Sequence, residues 1–455
     1  MRLTSYQSEP MKITRSNVGE APFKGVRADG IPAARLVAVV AVVCVYSARL
    51  AFACLARLAR CGGAGYSELC GLHAARLCEA LGPTFVKLGQ ILSARPDLLP
   101  DGAAAPLARL QDQVRPFESS LIPRIIEEAY DRPLSEVFAS FDLVPVSAAS
   151  VAQVHRARLL DGRLVAVKIR RPGVVRTVEN DLRILSFFAR NLSRLPFMRV
   201  VPLNELVEDI GTPIRQQLDF AAEAENNALF RRHFTGAERV KFPELIEPLC
   251  ADGIIVMEFL ERLQKVNATH LTAAEHKSAA LAGLHALYKM IFIDGFVHAD
   301  MHPGNVFVRE WGEFVILDTG LVARLSASEQ EDFVNFFFGL VNNLGLECAR
   351  IVYEGASYHA RGCDRAAFER AMVDLVAEHS ALKSREFEVT RFVYQLVTLQ
   401  RRFGIRGSTK FMMTILSMVV FDGVCKQLYP ECDFQGVARG YLITARYRRV
   451  PALSA

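Results

Sequence analysis

The residues best equipped for chemistry lie between His298 and Gly320: His-Ala-Asp-Met-His-Pro-Gly-Asn, a short strand-like run, then Leu-Asp-Thr-Gly. Asp300 and Asn305 stand five positions apart, the spacing of the base and the metal-binding amide in a kinase catalytic loop. Two apolar runs, Val306 to Val308 and Phe314 to Leu317, read as a hairpin that returns Asp318 to the side of Asn305. Phosphoryl transfer needs such a cluster, because Mg²⁺ held by hard oxygen ligands must sit against the β- and γ-phosphates. Asn and Asp also crowd into ordinary turns, so the isolated spacing fits a plain turn as well. The Asp-x-Gly behind it favours a phosphate-handling site that uses ATP and Mg²⁺, with Asn305 and Asp318 on the metal and Asp300 as base.

Such a site requires further elements to hold the nucleotide. Asp161-Gly162 between two β-branched runs is a hairpin signal. Its strands are read over Ala149 to Leu160 and Arg163 to Arg170. The second reads Leu-Val-Ala-Val-Lys-Ile, which puts Lys168 where a kinase keeps its phosphate-contacting lysine. A lone lysine on a strand is commonly an edge residue with a packed stem. The 132 residues from Lys168 to Asp300 (300 − 168) leave room for the rest of a lobe and a hinge. The loop before the first strand, with Ala148, Ala149 and Ser150, lacks glycine, yet its small residues let backbone approach a nucleotide. Asp219, Glu223 and Asn227 follow one another at helical spacing; such a face is ordinarily just solvated, and Glu223 is the candidate to orient Lys168. Gly253 to Leu260 reads as a strand and hinge whose backbone, at Glu258, would meet the adenine, with a lobe boundary near residue 262.

A chain of 455 residues implies two or three domains, and 51% apolar with 23% charged residues is globular composition. The net charge of +5 allows contact with an anionic membrane surface but does not point to a nucleic-acid partner. Ten scattered cysteines without a C-x-x-C pair fit reduced thiols in a reducing compartment, where ATP is also found. Residues 1–30 read as a polar, disordered leader. Within 31–65 an apolar stretch, Leu36 to Ala56, has an uncharged core of about 13 residues, short of the roughly 18 that span a bilayer. It is either an interfacial or anchoring helix or a buried one. Residues 66–140 read as a helical extension, broken at Gly82-Pro83 and stopped at Pro96, with a further helix over 121–138. Lys87 and Gln90 share one side of its second helix, which by periodicity alone is a solvated face. The kinase-like N-lobe would occupy 141–262, with a helix from Asn180 and another from Leu203, and 263–455 reads as an all-helical lobe around the catalytic loop. Phe411 to Phe421 is apolar but short, and reads as a buried helix.

Taken together these segments resemble the UbiB family of atypical, protein-kinase-like proteins linked to ubiquinone biosynthesis. The resemblance rests on Pro83 to Gln90 with its Lys-x-Gly-Gln, Arg95 to Pro100, the Ala-rich loop at Ala148 and Ala149, and His298 to Asn305, and it covers roughly residues 66–330. It implies an α+β, two-lobed protein-kinase-like fold with a helical N-terminal extension. It also implies that Lys87 and Gln90 fold over the nucleotide where a peptide substrate would otherwise lie, hence an ATPase or small-molecule kinase rather than a typical protein kinase. Two positions depart from the family: Gln217 replaces the glutamate of its E-x-D motif, leaving Asp219, and Thr319 replaces the phenylalanine of Asp-Phe-Gly.

The expectation is therefore a Mg-ATP-dependent kinase or ATPase supporting quinone or isoprenoid-lipid metabolism. Its partners would be ATP, a lipid or isoprenoid small molecule and a biosynthetic enzyme complex, with no nucleic acid, on the cytoplasmic face of a membrane. A nucleotide-binding pseudokinase scaffold is the alternative. An aminoglycoside-type phosphotransferase shares the His-x-Asp-x-x-x-x-Asn loop but leaves Lys87 to Gln90 unexplained.

Overall fold

The computed structural model describes residues 32–61, 66–93, 99, 102–110, 116–195, 203–268, 270–380 and 387–448. The expected leader, the helix stop at Pro96 and residues 95–98 and 100 of the Arg-Pro segment lie outside them. The chain forms two compact units, one of residues up to Ala228 with Pro243–Phe259, the other of Leu229–Phe242 with Leu260 onward.

The first unit begins with α1 (Ala33–Cys61), which runs on through Arg49 and Arg57 because both occupy exposed positions. One stripe of α1, Leu36, Val39 and Val42, packs with Ala75, Cys78 and Leu81 of α2 (Tyr66–Leu81) and Phe85 of α3 (Pro83–Ser93). Arg35 locks this packing: Nε and an Nη donate to the two oxygens of the fully buried Asp181 at 2.8 and 3.0 Å, and the Nη also donates to the Leu81 carbonyl at 2.7 Å. A planar fork suits this bidentate grip better than a lysine would. The short α4 (Ala104–Ala108) covers α2 and α3.

The single helix expected over 121–138 is instead α5 (Ile122–Tyr130), α6 (Leu134–Val137) and a strand, β1 (Phe138–Phe141). Asp131 ends α5 in the left-handed region at φ 52°, and Pro133 cannot continue a helix, so the amphipathic period is broken at its centre. There follow β2 (Ser147–Ala148), β3 (Ala152–Leu159), β4 (Leu164–Arg170), α7 (Val174–Leu192), α8 (Leu203–Gln216) and α9 (Phe220–His233), whose residues from Leu229 onward belong to the second unit. The strand expected from Ala149 begins at Ala152, because Ala149 turns to donate to the Ala152 carbonyl. The helix expected from Asn180 starts six residues earlier, behind Gly173. Next come β5 (Val240–Lys241), which belongs to the second unit, and β6 (Ile254–Glu258), which returns to the first. The sheet of the first unit runs β1-β3-β4-β6, antiparallel throughout, with β2 on β3.

The second unit holds β7 (Gln264–Lys265), α10 (Ala273–Tyr288) with its π-helical extension Lys289–Asp294, β8 (Phe296–His298), β9 (Val306–Arg309), β10 (Glu313–Ile316) and β11 (Val322–Arg324). Its remaining elements are α11 (Ala327–Val341), α12 (Gly345–Glu354), β12 (Ala356–His359), α13 (Arg365–Ser380), α14 (Val389–Arg402), β13 (Ile405–Gly407), α15 (Thr409–Leu428) and α16 (Phe434–Arg448). The expectation of an all-helical lobe holds for its mass but not for three small sheets, β5-β10-β9-β7, β8-β11 and β12-β13. Apart from the expected β9–β10 hairpin, these strands of two to four residues are too short to show a period, and their partners are distant in sequence. Among the described residues two helices are long and apolar enough to cross a membrane, α1 over Ala33–Leu58 and α15. In α15 Met412, Ile415, Met418, Phe421 and Cys425 are buried in the core, so it is an interior helix of this unit.

On β3 the alternation places two polar side chains, Gln153 and His155, fully inside. They survive burial by completing a chain: Gln153 accepts from the Phe117 amide and donates to His155 Nε2 at 2.9 Å, and His155 Nδ1–H donates to the Asp142 carbonyl at 2.8 Å. Burial holds the imidazole below its ordinary value of 6.5. The folded state therefore keeps it neutral while the unfolded chain takes up a proton, so stability is full above 6.5 and falls as pH drops below it, until the folded value is reached. Melting curves from about pH 8 to pH 5 should show this loss, and the His155→Asn variant should show a flatter acid limb than the parent.

Candidate active site

Each unit carries one half of the expected constellation. In the first, β4 is an interior strand between β3 and β6, and its inward alternation buries Val165, Val167 and Ile169. Lys168 is nonetheless only 8% exposed, and its Nζ donates to Glu223 Oε1 at 2.6 Å. It also lies 5.1 Å from the centre of the Phe220 ring, a second favourable surface for a buried cation. Glu223 is 4% exposed, on the first turn of α9. Asp219, expected on the same acidic face, plays a different part. Its Oδ1 accepts from the Ala222 amide at 3.0 Å and caps the helix that carries Glu223. The start of α9 is further fixed by Arg170, which donates to the Leu218 carbonyl at 3.0 Å and pairs with Asp252 at 2.8 Å.

The Ala-rich loop is a tight return onto β3. Ala148 pairs with Gln153, Ala149 donates to the Ala152 carbonyl, and Ser150 is 2% exposed. Arg171, at the end of β4, donates its amide to the Val151 carbonyl at 2.8 Å and its side chain to the Ala149 carbonyl at 3.3 Å. The sequence reading assigned Arg171 nothing, and no motif spacing marks it. Glu258 has its amide on the Glu244 carbonyl and its Oε1 on the Glu244 amide, both at 2.7 Å. Its side chain is thus structural, and a nucleobase contact at this position would fall to the main chain.

The extension is built into this unit. Leu88, Ile91 and Leu92 of α3 join Val174, Ile214 and Leu218 in one apolar cluster that also includes Val151 of the Ala-rich loop. Gln90 donates to the Leu110 carbonyl at 3.0 Å, which ties α3 to the segment after α4. Between Lys87 and Gln90, Gly89 is a contact point. A β-carbon there would lie 2.5 Å from Leu110 Cδ1 and 3.2 Å from Leu107 Cδ2, so a side chain at this position would require those leucines to repack. Lys87 is half-buried on the same helix.

In the second unit the expected hairpin forms: Val306 pairs with Ile316, and the Leu317 amide donates to the Asn305 carbonyl at 3.0 Å, which carries Asp318 back to the catalytic loop. Asn305 Nδ2 donates to the Asp300 carbonyl at 2.9 Å and reaches Asp300 Oδ2 at 3.4 Å. Asp318 Oδ1 accepts from the Gly320 amide at 2.9 Å. What joins the two loops is His298, wholly buried on β8. Its Nε2–H donates to the Asp318 carbonyl, and its Nδ1 accepts from the Asp300 amide at 3.2 Å. Burial holds this imidazole below its ordinary value, which keeps it in the neutral tautomer that the two bonds demand. Sequence reasoning gave His298 no role of its own; its place two residues before Asp300 was the available signal.

The oxygens fit the metal that was expected. An amide that donates through Nδ2 presents Oδ1 as its acceptor, and the Leu317 amide on the Asn305 carbonyl brings the next residue, Asp318, to the same loop. Among the described residues there is no group of three or more His, Cys, Asp or Glu side chains that could hold a metal ion alone. A carboxylate and an amide oxygen that leave the rest of the shell to phosphate and water suit Mg²⁺.

The Lys168–Glu223 pair makes a measurable claim. Glu223→Gln keeps the volume but leaves a buried cation without its anion, so unfolding free energy should fall by about 3–5 kcal/mol, less if Lys168 gives up its proton. Replacing both, as Lys168→Met with Glu223→Leu, should recover most of that loss, and denaturant titration of the three proteins checks it.

The chain is similar to known proteins along most of its length. Residues 109–351 match the ABC1 atypical kinase-like domain. The chain is 31% identical over 371 residues to the probable protein kinase UbiB of Pseudomonas fluorescens (strain Pf0-1), covering 80% of this chain and 69% of that one. It is 32% identical over 377 residues to the probable protein kinase UbiB of Cellvibrio japonicus (strain Ueda107), covering 81% and 68%. Among solved structures it shares its fold with Rv3197 of Mycobacterium tuberculosis, determined in complex with erythromycin. That match has a TM-score of 0.54 at 22% identity, over 77% of this chain and 90% of that one. The matched domain covers more than half of the chain and both relatives are more than 30% identical to it, so the chain belongs to the UbiB family of atypical kinases and has its α+β, two-lobed protein-kinase-like fold.

Proposed function

We propose that this protein is a Mg-ATP-dependent atypical kinase or ATPase that supports quinone or isoprenoid-lipid metabolism at a membrane. The observation that carries the reading is the gathering of Asp300, Asn305 and Asp318 around one buried neutral histidine. Asn305 and Asp318 would hold Mg²⁺, which supplies charge neutralisation on the phosphates. Lys168, held by Glu223, would contact the α- and β-phosphates, and the Ala148–Ser150 backbone would cover them. Lys87 and Gln90 would cap the nucleotide, and the main chain at Glu258 would meet the adenine. Asp300 would take the proton of the attacking hydroxyl or water as its oxygen bonds to the γ-phosphorus. The bond from that phosphorus to the β–γ bridging oxygen breaks, and ADP leaves with the electron pair.

The membrane part of the reading rests on α1. The side away from its packed stripe leaves Val37 66%, Phe52 75%, Leu55 66% and Leu58 63% exposed. The helix contains no acidic residue. An apolar face with arginines alongside suits an anionic bilayer interface.

Turnover tests the chemical reading. Asp318→Asn should lower Mg²⁺-dependent phosphate release from ATP by about a hundredfold or more, because a carboxamide is a poor substitute for a charged ligand. Parental turnover in that variant at limiting Mg²⁺ would remove Asp318 from the site, and no turnover in either protein would favour the scaffold. For the membrane reading, Phe52→Glu with Leu55→Glu leaves the packed stripe intact. Cosedimentation with vesicles containing anionic lipid should drop sharply in this variant while the melting temperature stays put, and unchanged cosedimentation would discard α1 as the contact.

A further inference from the structure

His302, the second histidine of the catalytic loop, has no part in the scheme above, yet the loop is shaped around it. Its neighbour Met301 is fully buried and anchors the chain, and Pro303 restricts the backbone on the other side. The imidazole stays 42% exposed. Its Nδ1 accepts from the Gly304 amide at 2.9 Å, which fixes both the ring and its tautomer and leaves the proton on Nε2. That Nε2 faces Asp300 Oδ2 at 3.8 Å. Gly304 is what allows the ring to lie there: a β-carbon on it would come 2.6 Å from His302 Cε1 and 2.9 Å from Nδ1. The same carboxylate oxygen is approached by Asn305 Nδ2 at 3.4 Å.

We infer that His302 is a positioning residue for Asp300: with Asn305 it clamps Oδ2 from two sides, so that the carboxylate is turned to take the acceptor's proton through Oδ1. Both contacts are longer than good hydrogen bonds, and contacts of this kind shorten when a catalytic site closes on its substrate. Held by one donor, a carboxylate can still rotate about its Cβ–Cγ bond; held by two that converge on one oxygen, it presents the other in a fixed direction. The gain is orientation of the base rather than binding of ATP. This inference rests on the proposed phosphoryl-transfer reading.

The test uses the full chain, with Mg-ATP as substrate and phosphate release as readout. His302→Ala should lower kcat by about tenfold or more, with the KM for ATP and the melting temperature little changed. His302→Asn can still accept from the Gly304 amide but cannot reach Asp300, and should be as slow as the alanine variant. His302→Gln carries an amide donor about as far as Nε2 and should restore most of the lost kcat. Gly304→Ala leaves the histidine present but displaces its ring, and should lower kcat in the same way. A His302→Ala or His302→Asn enzyme within about twofold of the parent, or a glutamine variant as slow as alanine, would overturn the inference. Asp300→Asn separates the two levels. If that variant turns over like the parent, the base assignment itself falls; if it is inactive while His302→Ala is not, only the role of His302 falls.

Discussion

A neutral histidine without access to water holds the second unit's loops together. His298 has one lone pair and one N–H in the ring plane, and each is committed to a different loop, the Asp300 amide on one side and the Asp318 carbonyl on the other. A protonated ring would offer two donors and lose the acceptor for Asp300, and a charge at full burial would be costly. The environment that lowers its proton affinity thus also preserves the pattern of bonds. Antiparallel pairing of β8 with β11, Val322 opposite His298, supplies the rigid frame from which the ring reaches both loops. Behind it the ring of Phe230 lies 5.9 Å away and excludes solvent.

In the first unit, order is imposed by charge instead. Burying Lys168 and Glu223 together costs desolvation that an apolar pair would avoid, so the pair is poorly explained as a source of stability. It is better explained as a constraint on where the ammonium sits. The supporting structure is consistent with that: Asp219 caps α9, Arg170 holds the turn before it, and Phe220 lies beneath the ammonium. The substitution of Gln217 for the family glutamate leaves all three supports in place. The extension is fixed to the same unit by packing, with Gly89 allowing α3 to approach Leu107 and Leu110 closely.

Much of this was legible in the chain. The catalytic loop, the hairpin behind it, the strand lysine and the break at Gly82-Pro83 all depend on local spacing, turn chemistry or a short period, which a sequence carries on its face. The helical mass of the second unit and the buried helix at Phe411 to Phe421 were readable for the same reason. Legibility failed where the deciding partner was distant. Asp131 and Pro133 end the helix read across 121–138 at its centre, and the pairing of Phe138 to Phe141 with β3 makes the segment after it a strand. The β12–β13 pair was missed because strands this short carry weak local signals and its partners lie some fifty residues apart (Ala356 with Gly407).

The order of residues was therefore enough to establish which of them could do chemistry and on which kinds of element they sit, because those properties follow from side-chain type and from periods of two and 3.6 residues. Only folding settles what each polar group is committed to. Glu223 rather than Asp219 meets Lys168, since Asp219 is occupied by a helix cap; Glu258 is occupied by Glu244; His298 bridges two loops. A hydrogen-bonding group satisfies whichever partner folding brings within about 3 Å, and that distance is set by contacts tens of residues away, which no local pattern encodes.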